Sequence, residues 1–256
     1  LGLLSDLRVA VATSQLQMWL QPKFALASGR AVGAEALVRW VHPQRGFVSP
    51  AEFVPFAEQT GYITMVTDWM LREALATLQA WERTHPALGI AVNVSTRDLQ
   101  DAGFAQRVGA LVAASGVNPE RLRLEITESG LMEDAHKSVE LLHALRAVGL
   151  PLSIDDFGTG YSSLAYLQKL PVSELKIDRS FVDGIDRAPG TQKLVRAMIE
   201  MGHGMDLLVT AEGVETEAER STLARLGCDV MQGYLRSRPL HGAALQDWLD
   251  RELKAK

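Results

Sequence analysis

Short apolar runs recur along the chain. Most are separated by longer stretches in which apolar positions return every three or four residues. The short runs fall at 16–24, 31–39, 89–94, 121–126, 150–155, 173–177, 206–211 and 228–233, which makes eight candidate strands. Between them, Leu71, Leu75, Leu78 and Trp81 share one face of a predicted helix, and Leu194, Met198, Met201 and Met205 share a face of another. Ser49-Pro50-Ala51-Glu52 reads as a capping box with proline in the first turn, and Thr216 with Glu219 reads as a second. Gly116, Gly149 and Gly227 stand where helices would end before a strand.

Strands alternating with helices predict an α/β fold of the TIM-like (β/α)8 barrel type. One connection departs from that pattern. Only residues 25–30 join the first two strands, whereas a parallel crossover needs about a dozen residues or more. This pair must be a hairpin, so the first strand is expected to run antiparallel to the rest. The 256 residues suit one such barrel and are read as a single domain, 1–256. The chain starts at Leu1 rather than Met, which suggests a piece excised from a longer, multidomain protein.

Composition removes several function classes. No apolar run approaches the roughly 18 residues that span a membrane, and no signal-like segment opens the chain. A single cysteine, Cys228, leaves no disulfide framework and no cysteine-rich zinc site. It fits a reducing, cytoplasmic setting, either free or as the cytoplasmic part of a membrane-anchored protein. A net charge of −5 argues against DNA as a partner. The six histidines avoid the strand ends, so His42, His136 and His143 read as surface or second-layer residues. Cys228 and the methionines from 198 to 205 read as packing.

Polar groups collect at the carboxyl ends of the strands. They are Glu35, Asn93, Glu125, Asp155 with Asp156, Lys176 with Asp178, Glu212 and Gln232. Burying unpaired charge costs several kcal/mol, so such groups neutralise, pair or bind metal. Glu35, Asn93, Glu125, Asp155, Asp156 and Glu212 offer only oxygen donors, which favours magnesium or manganese over zinc. An adjacent aspartate pair could bridge two ions about 3.5–4 Å apart, activating water and holding a phosphate in line. Lys176 could orient that water and stabilise charge on phosphorus.

Together these residues resemble the EAL domain family. The resemblance runs from about Leu4 to Leu249 and rests on motifs in order: Glu35-Ala36-Leu37-Val38-Arg39-Trp40, Asn93-Val94-Ser95, Glu125-Ile126-Thr127-Glu128, Asp155-Asp156-Phe157-Gly158-Thr159-Gly160-Tyr161-Ser162-Ser163-Leu164, Leu175-Lys176-Ile177-Asp178, Ala211-Glu212-Gly213-Val214-Glu215 and Gln232-Gly233-Tyr234-Leu235. It implies hydrolysis of cyclic di-GMP to linear pGpG, two Mg2+ or Mn2+ ions, inhibition by Ca2+, a homodimer, and an upstream sensor or cyclase-like domain in the full-length protein. It implies no membrane contact by this domain.

Carried over position by position, Glu35, Asn93, Glu125 and Asp155 would hold one ion, and Asp155, Asp156 and Glu212 the other. Lys176 would contact the attacking water, with Glu212 the rival general base. Arg39 would grip a phosphate. Gln21, Leu37, Asp178, Glu215 and Gln232 would complete the dinucleotide site. The stretch from Phe157 to Leu164 resembles a loop that couples metal binding to dimerisation, with Glu128 as its anchor. Three positions depart from the family pattern: Lys23, where an aliphatic residue is usual, Ser173 and Arg236. For Arg236, near the mouth, a solvated arginine is the plainer reading and a phosphate contact the alternative.

Two other readings compete. One is a catalytically silent module that binds cyclic di-GMP and signals, which the intact ligand set disfavours. The other is an enolase-type barrel with a lysine base, which the aspartate doublet and the hairpin start fit poorly.

Overall fold

Alternating side chains give a strand two faces, and in this barrel the two faces meet opposite surroundings. The computed structural model describes residues 2–13, 15–160 and 164–254. The strands are β1 Leu16–Ala25, β2 Ala31–His42, β3 Gly46–Val48, β4 Gly89–Val94, β5 Leu122–Thr127, β6 Leu152–Phe157, β7 Glu174–Ile177, β8 Leu208–Ala211 and β9 Val230–Gln232. Their lateral order is β1-β9-β8-β7-β6-β5-β4-β2-β3, and β1 also pairs with β2. Eight strands therefore close a barrel, with β3 outside it.

The hairpin forecast is met. β1 is antiparallel to both β2 and β9, while the other barrel pairs are parallel. Strand β3 is new: it extends the far end of β2 through the pairs Trp40↔Val48 and His42↔Gly46. Strand β6 reaches two residues further than its apolar run, so Asp155 and Asp156 lie within it.

The outward face of the wall carries the aliphatic residues. Leu122, Leu124, Ile126, Leu152, Ile154, Leu175, Ile177 and Val209 are all at most 1% exposed and share one core with the surrounding helices. In helix Ile63–Ala80 the expected residues Leu71, Leu75 and Leu78 are buried, with Trp81 just beyond its end. In helix Pro189–Gly204 the buried stripe is Val195, Met198, Ile199 and Gly202. Leu194 is exposed, because the stripe sits one position further along than expected. Thr216 and Glu219 form their capping box. Ser49 is the N-cap of its helix without a side-chain cap bond, so the box expected there is absent. Gly116, Gly149 and Gly227 follow helix ends with φ of 67°, 99° and 89°. Cys228 is buried in the core, and burial pushes its thiol up to about 12.

The inward face is different. The lumen is filled by charged and amide side chains rather than by branched aliphatics. Gln21, Lys23, Glu35, Glu125, Asp155, Glu174, Lys176 and Gln232 are each no more than 8% exposed.

Candidate functional site

Lys176 stands at the centre of the lumen. Its side chain is fully buried, and Nζ lies 2.7 Å from Glu125 Oε2, 2.6 Å from Glu212 Oε1, 3.0 Å from Asp155 Oδ1 and 3.6 Å from Glu35 Oε2. Burial alone would depress this ammonium, but Glu125, Glu212, Glu35 and Asp155 together raise it well above the ordinary lysine value. It is charged at any physiological pH.

The acids outnumber it. Burial pushes Glu125 up to about 7, against the pull of Lys176 and Lys23. Burial likewise takes Glu212 up to about 8. Asp156 is raised by burial and by its neighbour Asp155. Glu35 moves the other way. Burial opposes it, but Lys176, Lys23 and hydrogen bonds from Asn93 and Gln232 hold it below the usual carboxylate value. Carboxylates packed this densely around one ammonium suit a site that takes up further positive charge.

The acids form two trios. Glu35, Glu125 and Asp155 bring one oxygen each within 4.8 Å of one another, and Asp155, Asp156 and Glu212 do the same. Asp155 belongs to both. Two consecutive strand residues normally face opposite sides of a sheet. Here Asp156 adopts φ of 53°, and the register between β6 and β7 slips between Ile154 and Phe157. That left-handed residue, one of the few non-glycine types that tolerates it, turns both carboxylates to the mouth. The Asp156 N–H donates to Asp155 Oδ1 at 3.0 Å and fixes the pair.

Amides frame the acids. Asn93 Nδ2 donates to Glu35 Oε1 at 2.8 Å. Gln232 Nε2 donates to Glu35 Oε2 at 2.6 Å and to Gln21 Oε1 at 3.1 Å. Gln232 Oε1 is buried without a hydrogen-bond partner.

The mouth cavity has a volume of about 330 Å³ and brings together Gln21, Glu35, Asp155, Asp156, Glu212, Glu215 and Gln232. Leu37, Arg39 and Asn93 line a neighbouring, largely apolar cavity of about 290 Å³. Arg39 donates to the Val38 carbonyl at 2.8 Å and lies over the Trp19 ring. Asp178 does not line the mouth cavity. Its carboxylate caps helix Arg179–Val182 by accepting the Ser180 N–H at 3.0 Å.

Arg179 and Tyr234 line the mouth without having been singled out. Arg179 pairs with Glu215 at 2.7 Å, and its side chain crosses Gly213, where φ is 69° and a Cβ would lie 2.3 Å from Arg179 Cγ. A cation just past a strand end, next to the acids, was the available signal.

Glu128 Oε2 accepts the N–H groups of Gly158 and Gly160 at 3.0 and 3.2 Å. The forecast loop therefore hangs from it as far as Gly160. Tyr161, Ser162 and Ser163 lie outside the described residues.

The three departing positions now have partners. Ser173 Oγ accepts from Arg123 at 3.0 Å. Arg236 stacks over the Phe24 ring at 4.6 Å and donates to Gly29 O at 3.0 Å. It is absent from the residues lining the mouth cavity. Lys23 is buried beneath the acids with its ammonium on Glu125 Oε1.

The EAL domain family model matches residues 4–239. The bifunctional diguanylate cyclase/cyclic di-GMP phosphodiesterase MucR of Pseudomonas aeruginosa is 44% identical over 94% of this chain and 35% of its own length. The cyclic di-GMP phosphodiesterase NbdA of the same organism is 42% identical over 95% of this chain and 31% of its own length. The chain thus spans about a third of these relatives. The solved structure of the PaMucR phosphodiesterase in complex with c-di-GMP superposes with a TM-score of 0.91 at 43% identity, covering 96% of this chain and all of the other.

Proposed function

Since the chain belongs to the EAL domain family, we propose that it is a metal-dependent phosphodiesterase that opens cyclic di-GMP to linear 5′-pGpG. The observation that carries this reading is the pair of acid trios sharing Asp155 beside a buried lysine. The donor set fits hard divalent ions: all oxygen, tightly grouped, and short of positive charge. Glu35, Asn93, Glu125 and Asp155 would hold one Mg2+ or Mn2+, and Asp155, Asp156 and Glu212 the second. When bound, such ions make water a nucleophile near neutral pH and offset charge on the phosphate.

The chain's own residues do the remaining work. Lys176, held charged by its neighbours, donates to the attacking water and keeps it aimed at phosphorus. Glu212, whose Oε1 lies 2.6 Å from the Lys176 ammonium, is the rival candidate to take the proton. Arg39 binds a phosphate oxygen, and Gln21, Leu37, Glu215 and Gln232 seat the dinucleotide. Asp178 acts through the helix it caps. A homodimer contact through the loop held by Glu128 would be felt at Asp156. The chain would act in the cytoplasm as one unit of a longer protein, as the span of its relatives supports. No helix among the described residues is long and apolar enough to cross a membrane.

Incubation of the chain with cyclic di-GMP and Mg2+ or Mn2+, resolved by chromatography, should yield pGpG. Glu35→Gln and Lys176→Met should each slow turnover about a thousandfold or more. Tight binding with no product in either metal would sink the reading and leave a binding module.

A further inference from the structure

Lys23 has no role in the site as described so far. It enters the lumen from β1, the reversed strand, at the level where β1 pairs Lys23↔Gly33 and Lys23↔Gln232. Its side chain is 6% exposed and that of Glu125 is 0% exposed, so the pair is buried. The two oxygens of Glu125 meet different cations. Oε1 accepts from Lys23, and Oε2 accepts from Lys176 at 2.7 Å. Oε2 is thus on the side of Lys176, which Glu35, Asp155 and Glu212 also surround, while Oε1 is turned towards Lys23.

Lys23 is itself held in place. It lines a cavity at the closed end of the barrel with Glu174, Arg121 and Arg123. Glu174 in turn accepts from Thr210 Oγ1 at 2.5 Å and pairs with Arg123 Nε at 3.2 Å. A ladder of alternating charge therefore runs from Arg123 through Glu174 and Lys23 to Glu125. Leaving Oε1 would take Lys23 from the one carboxylate with which it forms an ion pair among the described residues.

The consequence lies in coordination chemistry. A carboxylate with both oxygens open can bind an ion through one or through both. Calcium, with six to eight oxygens at 2.3–2.6 Å, readily takes a carboxylate through both, whereas magnesium demands octahedral geometry at about 2.0–2.1 Å. Partners behind a ligand fix its orientation and commonly govern affinity by about 10–100-fold.

We propose that Lys23 is a positioning residue that restricts Glu125 to a single metal-facing oxygen, and so biases the site towards small octahedral ions and against calcium. This rests on the reading of Glu125 as a metal ligand. It assigns to Lys23 a choice between ions, separate from any general effect of charge. Removing a buried cation strengthens the binding of every divalent ion alike. Freeing Oε1 changes the ratio between large and small ions.

The test is direct binding, with no substrate present. The metal-free chain is titrated calorimetrically with Mn2+ alone and with Ca2+ alone. The variants are Lys23→Met, Lys23→Arg and the pair Lys23→Met/Glu174→Gln, which removes one carboxylate together with the lysine and so leaves the net charge of the lumen unchanged. Lys23→Met, and the paired variant should the single one fold poorly, is expected to raise the affinity for Ca2+ relative to Mn2+ about tenfold. Lys23→Arg, which keeps a donor on Oε1, is expected to hold the ratio of the unmodified chain. A ratio unchanged in the methionine variants, with both ions bound more tightly by the same factor, overturns the proposal. Failure of the unmodified chain to bind Mn2+ at all overturns the metal-site reading, and this inference falls with it.

Discussion

The mouth and the floor of the barrel use the same residue types to opposite effect. At the floor, one carboxylate, Glu174, meets Arg123 and the Thr210 hydroxyl and shares a cavity with Lys23. Burial would raise it, yet Lys23 and Arg123 hold it down at about 2. At the mouth, Lys176 faces Glu35, Glu125, Asp155 and Glu212, and Lys23 adds a second cation only at Glu125 Oε1. There burial wins and lifts Glu125 to about 7 and Glu212 to about 8. Both regions lie inside one barrel, so depth alone does not separate them. The ratio of cations to anions does. The floor is balanced and contributes to stability. The mouth is left short of positive charge, a cost to folding that makes sense if charge arrives from outside.

The largest test removes the mouth's lysine. Lys176→Met should cost the metal-free chain about 3–5 kcal/mol. Saturating Mn2+ should return much of that, since an ion bound at about 100 times its Kd adds about 2.7 kcal/mol. Urea unfolding with and without the ion measures both. A loss that no ion restores would mean that the mouth is balanced like the floor.

At the floor, Glu174→Gln should cost about 2–3 kcal/mol, with no response to metal. Its pH dependence has a definite sign. The carboxylate falls to about 2 in the folded chain from an ordinary 4.5. Its contribution is therefore complete above about pH 4.5 and lost as the pH falls towards 2. The gap between unmodified chain and variant should close over that window.

Glu212 should give the reverse. Its folded value of about 8 lies above the ordinary 4.5. The metal-free chain therefore keeps this contribution below pH 4.5 and loses it as the pH rises through 8. Glu212→Gln should flatten that slope. Added Mg2+ should invert it in the unmodified chain, because ions and protons compete for the same oxygens.

The smallest effect is expected at Arg236. It stacks on Phe24 outside the lumen, so Arg236→Ala should cost less than about 1 kcal/mol. It should leave metal and dinucleotide binding unchanged. A marked loss of dinucleotide affinity would return this residue to the mouth.

Much of this was legible before any coordinates. The reversed first strand followed from the length of one connection, because chain reach limits what residues 25–30 can span. The acids at strand ends were visible because each interrupts an aliphatic run, as Glu125 does between Leu124 and Ile126. Strand β3 was hidden: Gly46-Phe47-Val48 is too short to carry a period, and it exists only because β2 runs long enough to template it. The partners of Lys23 and Arg236 were hidden for another reason. They depend on the register of β1 against β9, whose residues meet across most of the chain, and no local pattern encodes that. Asp178 was visible as polar, but its capping of the helix that follows depends on a four-residue helix too short to carry a period. Leu194 fails by a single step, since a helical stripe read without its partner strand can be rotated by one position.

The strand that closes the barrel also sets its timetable. Gln21 and Gln232 touch across 211 positions of sequence, and Leu20 exchanges backbone hydrogen bonds with Leu240 at 2.8 and 2.7 Å. Loop closure over such a distance is slow and comes late. Until β9 docks, the hairpin of β1 and β2 keeps an open edge, and Glu35 waits for Gln232. The part of the mouth that needs Gln21 beside Gln232 is therefore complete only once β9 is in place. A ligand that engages both glutamines is expected to act as a latch, slowing the opening of the finished structure more than it speeds its formation.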